Sequence, residues 1–299
     1  MDVSTPISNL ITGTVMYNRM IREIVTSQTP FTLTQYRILL YLEICSRKAQ
    51  RIRDIAQVLI LSTSTVSDTA SELEKDGMVC RFEIPSDLKA VGLQITSAGQ
   101  EALSAAEEAI IQGSQFYWDV LGEETQSSFF EAINPLLDIP EFDSDKVRQL
   151  PRKVIYPFAS RMHLAKYTGW FKSTYNLNLA DVRILFLLLE TGEPLRIADI
   201  SHLLNEPASS ISSSTRSLFR VRKLVERGRK PSNKRETIIS LSSEGKTLSQ
   251  EIRDRFIAFC CAEFHQTKEE FEMETLGRTH ARSIPSVSDR IFGEKFNSW

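Results

Sequence analysis

The chain lacks the features that mark membrane and secreted proteins. Its densest apolar run, Ile184–Leu189, has only six residues, whereas a membrane-spanning helix needs roughly 20. The first thirty residues contain no basic segment followed by an apolar core, so no secretory signal is predicted. We therefore expect a cytoplasmic protein without a membrane partner.

Residues with metal-binding or redox chemistry are few and scattered. The four cysteines of the 299 residues include one adjacent pair, Cys260 and Cys261, but no CxxC or histidine-spaced pair that would suggest zinc. We predict buried, reduced thiols, with redox sensing as the alternative. The motifs GxGxxG, GxxxxGK[ST], HExxH and GxSxG are absent, and four scattered histidines support no catalytic triad. We expect no enzyme activity, no metal and no cofactor.

What the chain does contain is a repeat of itself at an offset of about 146 residues. The matching segments are Thr32–Leu39 with Asn178–Leu185, Ile52–Ile55 with Ile197–Ile200, Asp87–Lys89 with Asn233–Arg235, and Ile95–Gly99 with Leu241–Gly245. This period has the size of a domain, and the length suits two domains. We predict a first copy at 1–140, a linker at 141–156, a second copy at 157–284 and a C-terminal tail at 285–299.

Apolar spacing and capping residues predict the same order of elements in both copies. In the first copy four helices are predicted with both limits: Leu10–Ser27, Thr63–Asp76, Ser97–Trp118 and Glu123–Leu137. Two further helices lie between the first two of these, one opened by Thr32 and Gln35 and a short one that carries Ile55 and Leu59. The predicted strands are Met78–Glu83 and Val91–Ile95. In the second copy the helices are Pro157–Tyr175, Asp181–Leu189, Ile197–Leu204, Pro207 toward Arg222, and one from Ser242 toward Glu263, with a wing turn at Arg229–Arg235.

This order is a helix-turn-helix followed by a two-stranded wing. The predicted fold class is therefore mainly α with small β wings, arranged as two tandem winged helix-turn-helix domains. Several segments of the first copy then match a family: Ile52–Ala56, Ser62–Ser67, Leu73–Val79, Asp87–Lys89 and Ile95–Gly99. They resemble the MarR (multiple-antibiotic-resistance regulator) family, and the second copy resembles it more loosely.

The resemblance implies a DNA-binding transcription regulator of the repressor type. Members of the family are usually dimers of one such domain that bind pseudo-palindromic double-stranded DNA and often release it on binding a small molecule. A tandem chain is similar to the two-domain members of the related SarA group. It implies a dimer fused into one polypeptide, so we expect a monomeric pseudo-dimer rather than a homodimer, and a small-molecule effector as a further partner.

The two copies differ strongly in charge over the recognition helix and wing. Residues 62–89 hold three basic against six acidic side chains, a net charge of −3, whereas residues 207–235 hold nine basic against one acidic, a net charge of +8. Affinity for DNA rests largely on neutralising phosphates. The second copy is therefore expected to provide most of the affinity, and operator recognition is expected to be asymmetric.

Candidate DNA-binding residues follow from the position of the recognition helices and wings. In the first copy they are Ser62, Thr63, Ser64, Thr65, Ser67, Asp68 and Lys89. In the second copy they are Ala208, Ser209, Ser210, Ser212, Ser213, Arg216, Arg220, Arg229, Lys230, Lys234 and Arg235. The family usually has an arginine where this chain has Asp68 and Ser213, which puts base reading by the first copy in doubt.

An effector site would be expected on the opening helices, because ligands of the family bind between those helices and the DNA-binding lobe. The candidate lining residues are Met16, Tyr17, Met20, His163, Tyr167 and Trp170. Aromatic and methionine side chains at helical spacing are more often core residues, so a packing role is the alternative.

Two other functions fit the sequence. The acidic first copy could bind a protein partner while only the second copy contacts DNA, which makes the chain an interaction protein. Plasmid replication initiators also use tandem winged helices, and binding to directly repeated origin elements would favour that alternative.

Overall fold

The computed structural model describes residues 7–47, 50–84, 87–121, 134–230 and 233–272, with a few positions between 123 and 131. The predicted C-terminal tail lies outside the described residues. No helix in these ranges is long and apolar enough to span a membrane.

The first repeat forms a winged helix preceded by a long helix. Its elements are α1 (Ile7–Gln28), α2 (Leu33–Ile44), β1 (Gln50–Arg51), α3 (Ile52–Leu59), α4 (Thr63–Lys75), β2 (Val79–Ile84), β3 (Asp87–Ile95), α5 (Ser97–Gly113) and α6 (Gln115–Leu121). The capping box of Thr32 and Gln35 at the start of α2 is confirmed. The predicted helix Ser97–Trp118 is divided at Ser114, and the predicted helix Glu123–Leu137 ends in a 3₁₀ turn at Asn134–Leu137.

The second repeat has the same order of elements. They are α7 (Ser144–Gln149), α8 (Arg152–Tyr175), α9 (Leu179–Thr191), β4 (Leu195–Arg196), α10 (Ile197–Leu204), α11 (Ala208–Ser217), β5 (Val225–Lys230), β6 (Asn233–Leu241), α12 (Ser243–Glu263) and α13 (Lys268–Glu270). The stretch 141–156, predicted to be a linker, carries α7 and the start of α8. Asp143 caps α7 by accepting hydrogen bonds from the N–H groups of Asp145 and Lys146.

Each wing is a three-stranded antiparallel sheet, with the orders β1-β3-β2 and β4-β6-β5. The registers agree across the repeat, since Arg81 lies opposite Leu93 and Arg227 lies opposite Ile239. The short strands β1 and β4 were not predicted from the sequence. Two residues are too few to show an alternating pattern, and only the partner strand reveals them.

The chain divides into two compact units, and each takes segments from distant parts of the sequence. The described residues within Tyr17–Trp118 and Ile133–Lys166 form one unit, called the N-unit. Those within Met1–Met16, Asp119–Ala132 and Tyr167–Trp299 form the other, the C-unit. Each of α1 and α8 is therefore divided between the units, whereas the sequence predicted a division near the linker. As domain boundaries, the predicted limits stay a prediction.

The four cysteine thiols were predicted to be buried, and only some of them are. Cys45 and Cys260 are buried, Cys261 is half-buried, and Cys80 on β2 is exposed. Burial raises the pKa of the Cys45 thiol to about 12, which makes it inert at neutral pH.

The repeated glycines allow a close approach of backbone segments. Thr96 and Ser242 cap α5 and α12 by accepting from the N–H groups of Gly99 and Gly245. A Cβ on Gly245 would lie 1.8 Å from the carbonyl oxygen of Leu224, and a Cβ on Gly99 would lie 2.2 Å from that of Met78. This contact explains why the glycine occurs in both copies.

Gly245→Ala is therefore expected to destabilise the protein by about 1–3 kcal/mol, the usual cost of overpacking. The matched control is Gly169→Ala in α8, where nothing lies within 4 Å of the added Cβ. Because alanine has the higher helix propensity, the control should be neutral or stabilising by up to about 1 kcal/mol. Urea unfolding of both variants measures the difference, and equal stabilities would contradict the proposed backbone contact.

Candidate nucleic-acid interface

The recognition helix of the first winged helix, α4, presents small hydroxyl and acidic side chains. Val66, Ala70 and Leu73 are buried beneath it. The Ser62 hydroxyl accepts from the N–H of Thr65 at 3.0 Å, which fixes the start of α4. The exposed positions of this helix and its cap are Ser62, Thr63, Ser64, Thr65, Asp68, Ser71, Glu72, Glu74 and Lys75, while Ser67 is half-buried.

The wing arginine of the first copy is bound to its own recognition helix. Arg81 lies 3.2 Å from the Glu74 carboxylate and donates to the Ser71 hydroxyl at 2.7 Å. Another acidic side chain, Glu72, accepts from the Gln35 amide at 3.1 Å. Of the described side chains on this surface, Lys75 is the exposed cation. The local field therefore opposes phosphate binding.

The recognition helix of the second winged helix has a different end. After α11 the chain forms a π-helical turn at Leu218–Arg222, and Lys223 then adopts a left-handed conformation with φ 60°. Such π-turns are rare and occur often at functional sites. The sequence predicted one continuous helix toward Arg222, because no residue type marks a π-turn in advance.

The second winged helix exposes a set of cations along the end of α11, the turn that follows it and the strand β5. They are Arg216, Arg220, Lys223, Arg227 and Arg229, and we call them the basic strip. Arg222 is half-buried and donates to the carbonyl of Asn176 at 2.5 Å. Lys223 and Arg227 were not among the predicted DNA-binding residues. Both were counted in the net charge of +8 over residues 207–235, which is the signal that could have identified them.

The predicted DNA-binding residues of α11 are only partly exposed to solvent. Ala208, Ser209 and Ser213 are exposed, and Ser210 and Ser212 are half-buried. Pro207 caps the helix without a side-chain hydrogen bond. The side chains of Lys89, Lys230, Lys234 and Arg235 at the wing tips lie outside the described ones.

The six predicted effector-lining residues do not share one unit. Met16, Tyr167 and Trp170 belong to the C-unit, and Tyr17, Met20 and His163 belong to the N-unit. Tyr17 packs among the rings of Tyr117, Trp118 and Tyr156, at centroid distances of 4.9, 5.6 and 4.8 Å. Tyr167 contacts Phe171 and Phe256. The role of these residues in ligand binding stays a prediction.

His163 lines an open pocket of about 190 Å³ in the N-unit, and the other five residues are not part of the lining of that pocket. Burial, followed by the charge of Lys166, lowers the pKa of His163 to about 3, so the imidazole is neutral at pH 7. Within the described part of the chain, no three His, Cys, Asp or Glu side chains are grouped as metal ligands.

Two recognition helices, each followed by a β-wing, define a winged helix-turn-helix protein, a class that binds DNA through these elements. Family models agree with this class. Residues 31–91 match the MarR family, and residues 177–245 match a winged helix DNA-binding domain. No curated protein sequence matches the chain.

Three solved structures are similar to part of this chain at low identity. PcaV from Streptomyces coelicolor, crystallised with its natural ligand, is 20% identical; the match covers 42% of this chain and 90% of that one, with a TM-score of 0.36. A mutant of E. coli MarR with operator DNA is 18% identical, covering 36% and 75%, with a TM-score of 0.32. YusO from Bacillus subtilis is 19% identical, covering 37% and 78%, with a TM-score of 0.32.

The chain thus contains a MarR family domain and a second winged helix domain in tandem.

Proposed function

We propose that the protein is a transcription repressor whose second winged helix supplies most of the affinity for DNA. The observation that carries this proposal is the basic strip, to which the described side chains of the first copy's recognition helix and wing oppose a single exposed cation, Lys75. The equivalents of Arg216 and Arg220 are Ser71 and Lys75, and the equivalent of Arg227 is Arg81, which its own helix already binds. Repression is the usual output of the family that the first copy matches.

The basic strip suits phosphate contact because its charges project from two successive elements. A recognition helix in the major groove and a wing beside it bring both elements close to the backbone. The exposed hydroxyls of Ser209 and Ser213 add neutral donors of the kind that contact phosphate and sugar. These groups together would contact DNA phosphates, and the resulting affinity for DNA would fall as the salt concentration rises.

The operator is expected to be asymmetric, because equivalent reading positions carry different chemistry. Asp68 stands where the second copy has Ser213, and Ser71 stands where it has Arg216. An aspartate accepts a hydrogen bond from a cytosine amine, whereas arginine prefers guanine. A palindromic protected site would contradict this inference.

We infer that one chain supplies both winged helices as a monomeric pseudo-dimer. Covalent linkage gives the second winged helix a high effective concentration, about millimolar for a short connection. Light scattering tests the oligomeric state. A monomer that protects one to two helical turns of DNA is expected. A dimer that protects a longer palindrome would contradict the inference.

Arg220→Ala is expected to weaken binding to the DNA upstream of the protein's own coding sequence by about tenfold. It should also lower the salt slope by about one, as the loss of one phosphate contact does. Lys75→Ala is the matched control, because Lys75 is the equivalent residue of the first copy and is also exposed. Fluorescence anisotropy across a salt series measures both variants. Equal losses would contradict the dominance of the second copy.

The acidic surface of α4 favours a second candidate, a protein-interaction role for the first copy. Asp68, Glu72 and Glu74 are exposed there. Under this alternative, Asp68→Ser should leave the DNA footprint unchanged. Under the repressor proposal with an asymmetric operator, it should change the footprint on the half contacted by the first copy.

A further inference from the structure

The two recognition helices end differently, because the second copy has one residue more at this point. The buried residues Leu73 and Leu218 are 145 positions apart, whereas Met78 and Leu224, whose carbonyls lie against the repeated glycines, are 146 apart. The N–H of Met78 donates to the carbonyl of Leu73, five residues back, at 2.8 Å. The N–H of Leu224 donates to the carbonyl of Leu218, six residues back, at 3.0 Å. The hydrogen bonds therefore confirm the inserted residue.

The insertion makes the end of the second recognition helix less regular than that of the first. It is accommodated in the π-helical turn Leu218–Arg222, where the Val221 side chain is 73% exposed. Lys223 then has a positive φ of 60°, at the place where the first copy has Gly77 with φ 73°. Glycine adopts such a conformation more easily than lysine does, and π-turns are rare. We therefore expect this helix end to need support from another element.

Arg222 connects this turn to the end of α8. Its guanidinium donates to the backbone carbonyl of Asn176 at 2.5 Å. Asn176 directly follows α8, has a left-handed conformation at φ 53°, and donates from its N–H to the carbonyl of Lys172 at 3.0 Å. The carboxyl end of a helix carries partial negative charge, which a cation stabilises. The arginine thus binds the end of α8 by both a hydrogen bond and its charge.

A buried carboxylate makes a second connection beside the first. Asp181, in the first turn of α9, is 5% exposed. Burial raises the pKa of Asp181, and hydrogen bonds from the backbone of Asn178 and the side chain of Ser214 oppose that increase. The charges of Arg222 and Lys172 act in the same direction as these hydrogen bonds. Since Ser214 belongs to α11, the carboxylate also joins the recognition helix to α9.

The first copy has different chemistry at the positions of the arginine and its carbonyl partner. Asp76 is the equivalent of Arg222, and Pro30 is the equivalent of Asn176. An ionised aspartate has no hydrogen to donate to a carbonyl. The charge at the end of the recognition helix is therefore reversed between the copies, and the arginine occurs in the copy with the π-turn.

We propose that Arg222 is a positioning residue of the second recognition helix, which holds the π-turn against the end of α8 and does not contact DNA. Arg220 of the basic strip lies within this turn, and Lys223 follows it. Their placement on DNA phosphates therefore depends on the turn that Arg222 holds. The consequence for DNA rests on the proposed function, whereas the support of the turn does not.

Hydrogen–deuterium exchange of the full chain without DNA tests the support of the turn. The N–H groups of Lys223 and Leu224 both donate to the carbonyl of Leu218, so their exchange reports on its stability. In Arg222→Met they should exchange about tenfold faster, as expected for the loss of a hydrogen bond from a charged group. The Met78 amide of the first copy is the internal reference and should be unchanged. Arg222→Lys keeps a cation that can donate, so it should exchange more slowly than Arg222→Met.

Anisotropy titrations with the upstream DNA then distinguish positioning from phosphate contact. Arg222→Met should weaken binding about fivefold to tenfold with an unchanged salt slope, because the number of phosphate contacts stays the same. Arg220→Ala is the comparison, since the loss of a phosphate contact should lower the slope by about one.

Two results would overturn the proposal. One is unchanged exchange of the Lys223 and Leu224 amides in Arg222→Met. The other is a fall of about one in the salt slope of this variant, which would make Arg222 a phosphate contact. If the parent protein does not bind the upstream DNA, the proposed function is wrong, and the exchange measurement still decides whether Arg222 supports the turn.

Discussion

Reversing two charges of the basic strip is expected to remove specific DNA binding. The double variant Arg216→Glu with Arg227→Glu should lose at least about 100-fold in affinity at physiological salt, and its salt slope should fall by about two. The reason is that two phosphate contacts are lost and two repulsive charges replace them. Both side chains are exposed, so the fold should be unaffected. Anisotropy titrations with the upstream DNA measure the loss.

The same change in net charge elsewhere should have little effect. Lys75→Glu with Arg148→Glu is the matched control, since Lys75 is exposed on the first copy and the Arg148 side chain is 76% exposed. A comparable loss in this control would mean that net charge alone attracts the DNA. Retained affinity in the Arg216 and Arg227 variant would contradict the assignment of the interface to the second winged helix.

A fragment that ends before α8 is expected not to fold. Residues 17–166 should unfold cooperatively, whereas residues 17–150 should show no cooperative transition on heating. The first half of α8 supplies the N-unit with Tyr156, whose ring lies 4.8 Å from Tyr17, and Phe158, whose ring lies 5.9 Å from Phe142. Each buried aromatic ring is worth about 3–5 kcal/mol, which is comparable with the net stability of a small domain.

Calorimetry of the two fragments measures whether each unfolds cooperatively on heating, and circular dichroism checks their helix content. The Asn18 amide also donates to the Ser160 hydroxyl at 2.9 Å, and the shorter fragment lacks this buried hydrogen bond. Cooperative unfolding of residues 17–150 would show that the predicted boundary at 140 delimits an independent domain. It would also contradict the division of α8 between the units.

Local sequence signals predicted most of the elements. The capping residues Thr32, Ser62, Thr96 and Ser242 each accept the expected hydrogen bond, because a cap acts within three residues. The short strands β1 and β4 were missed because their stability comes from partners distant in sequence, such as the pairing of Gln50 with Leu93. The helix α7 was also missed, although Asp143 caps it locally.

The sequence predicted the charges of the candidate site but not their side-chain partners or the local backbone. The charge contrast between the copies followed from counting residues, and the exposure of Arg216, Arg220 and Arg229 agrees with it. The binding of Arg81 by Glu74 and Ser71 was not predictable, because it joins a strand to a helix seven to ten residues earlier through side-chain geometry. The π-turn before Lys223 was missed for a related reason, since packing rather than propensity determines it.

The sequence by itself determined that one winged-helix domain occurs twice and that the copies differ in charge, because repeats, periodicity and net charge are properties of residue order. The tertiary structure alone decided which charges have partners. Arg37 and Arg183 look alike in the repeat, yet Arg183 pairs with the Glu206 carboxylate, whereas Arg37 donates to the carbonyl of Leu59. Pairing depends on distances between side chains more than twenty residues apart, which the fold sets and the sequence does not state.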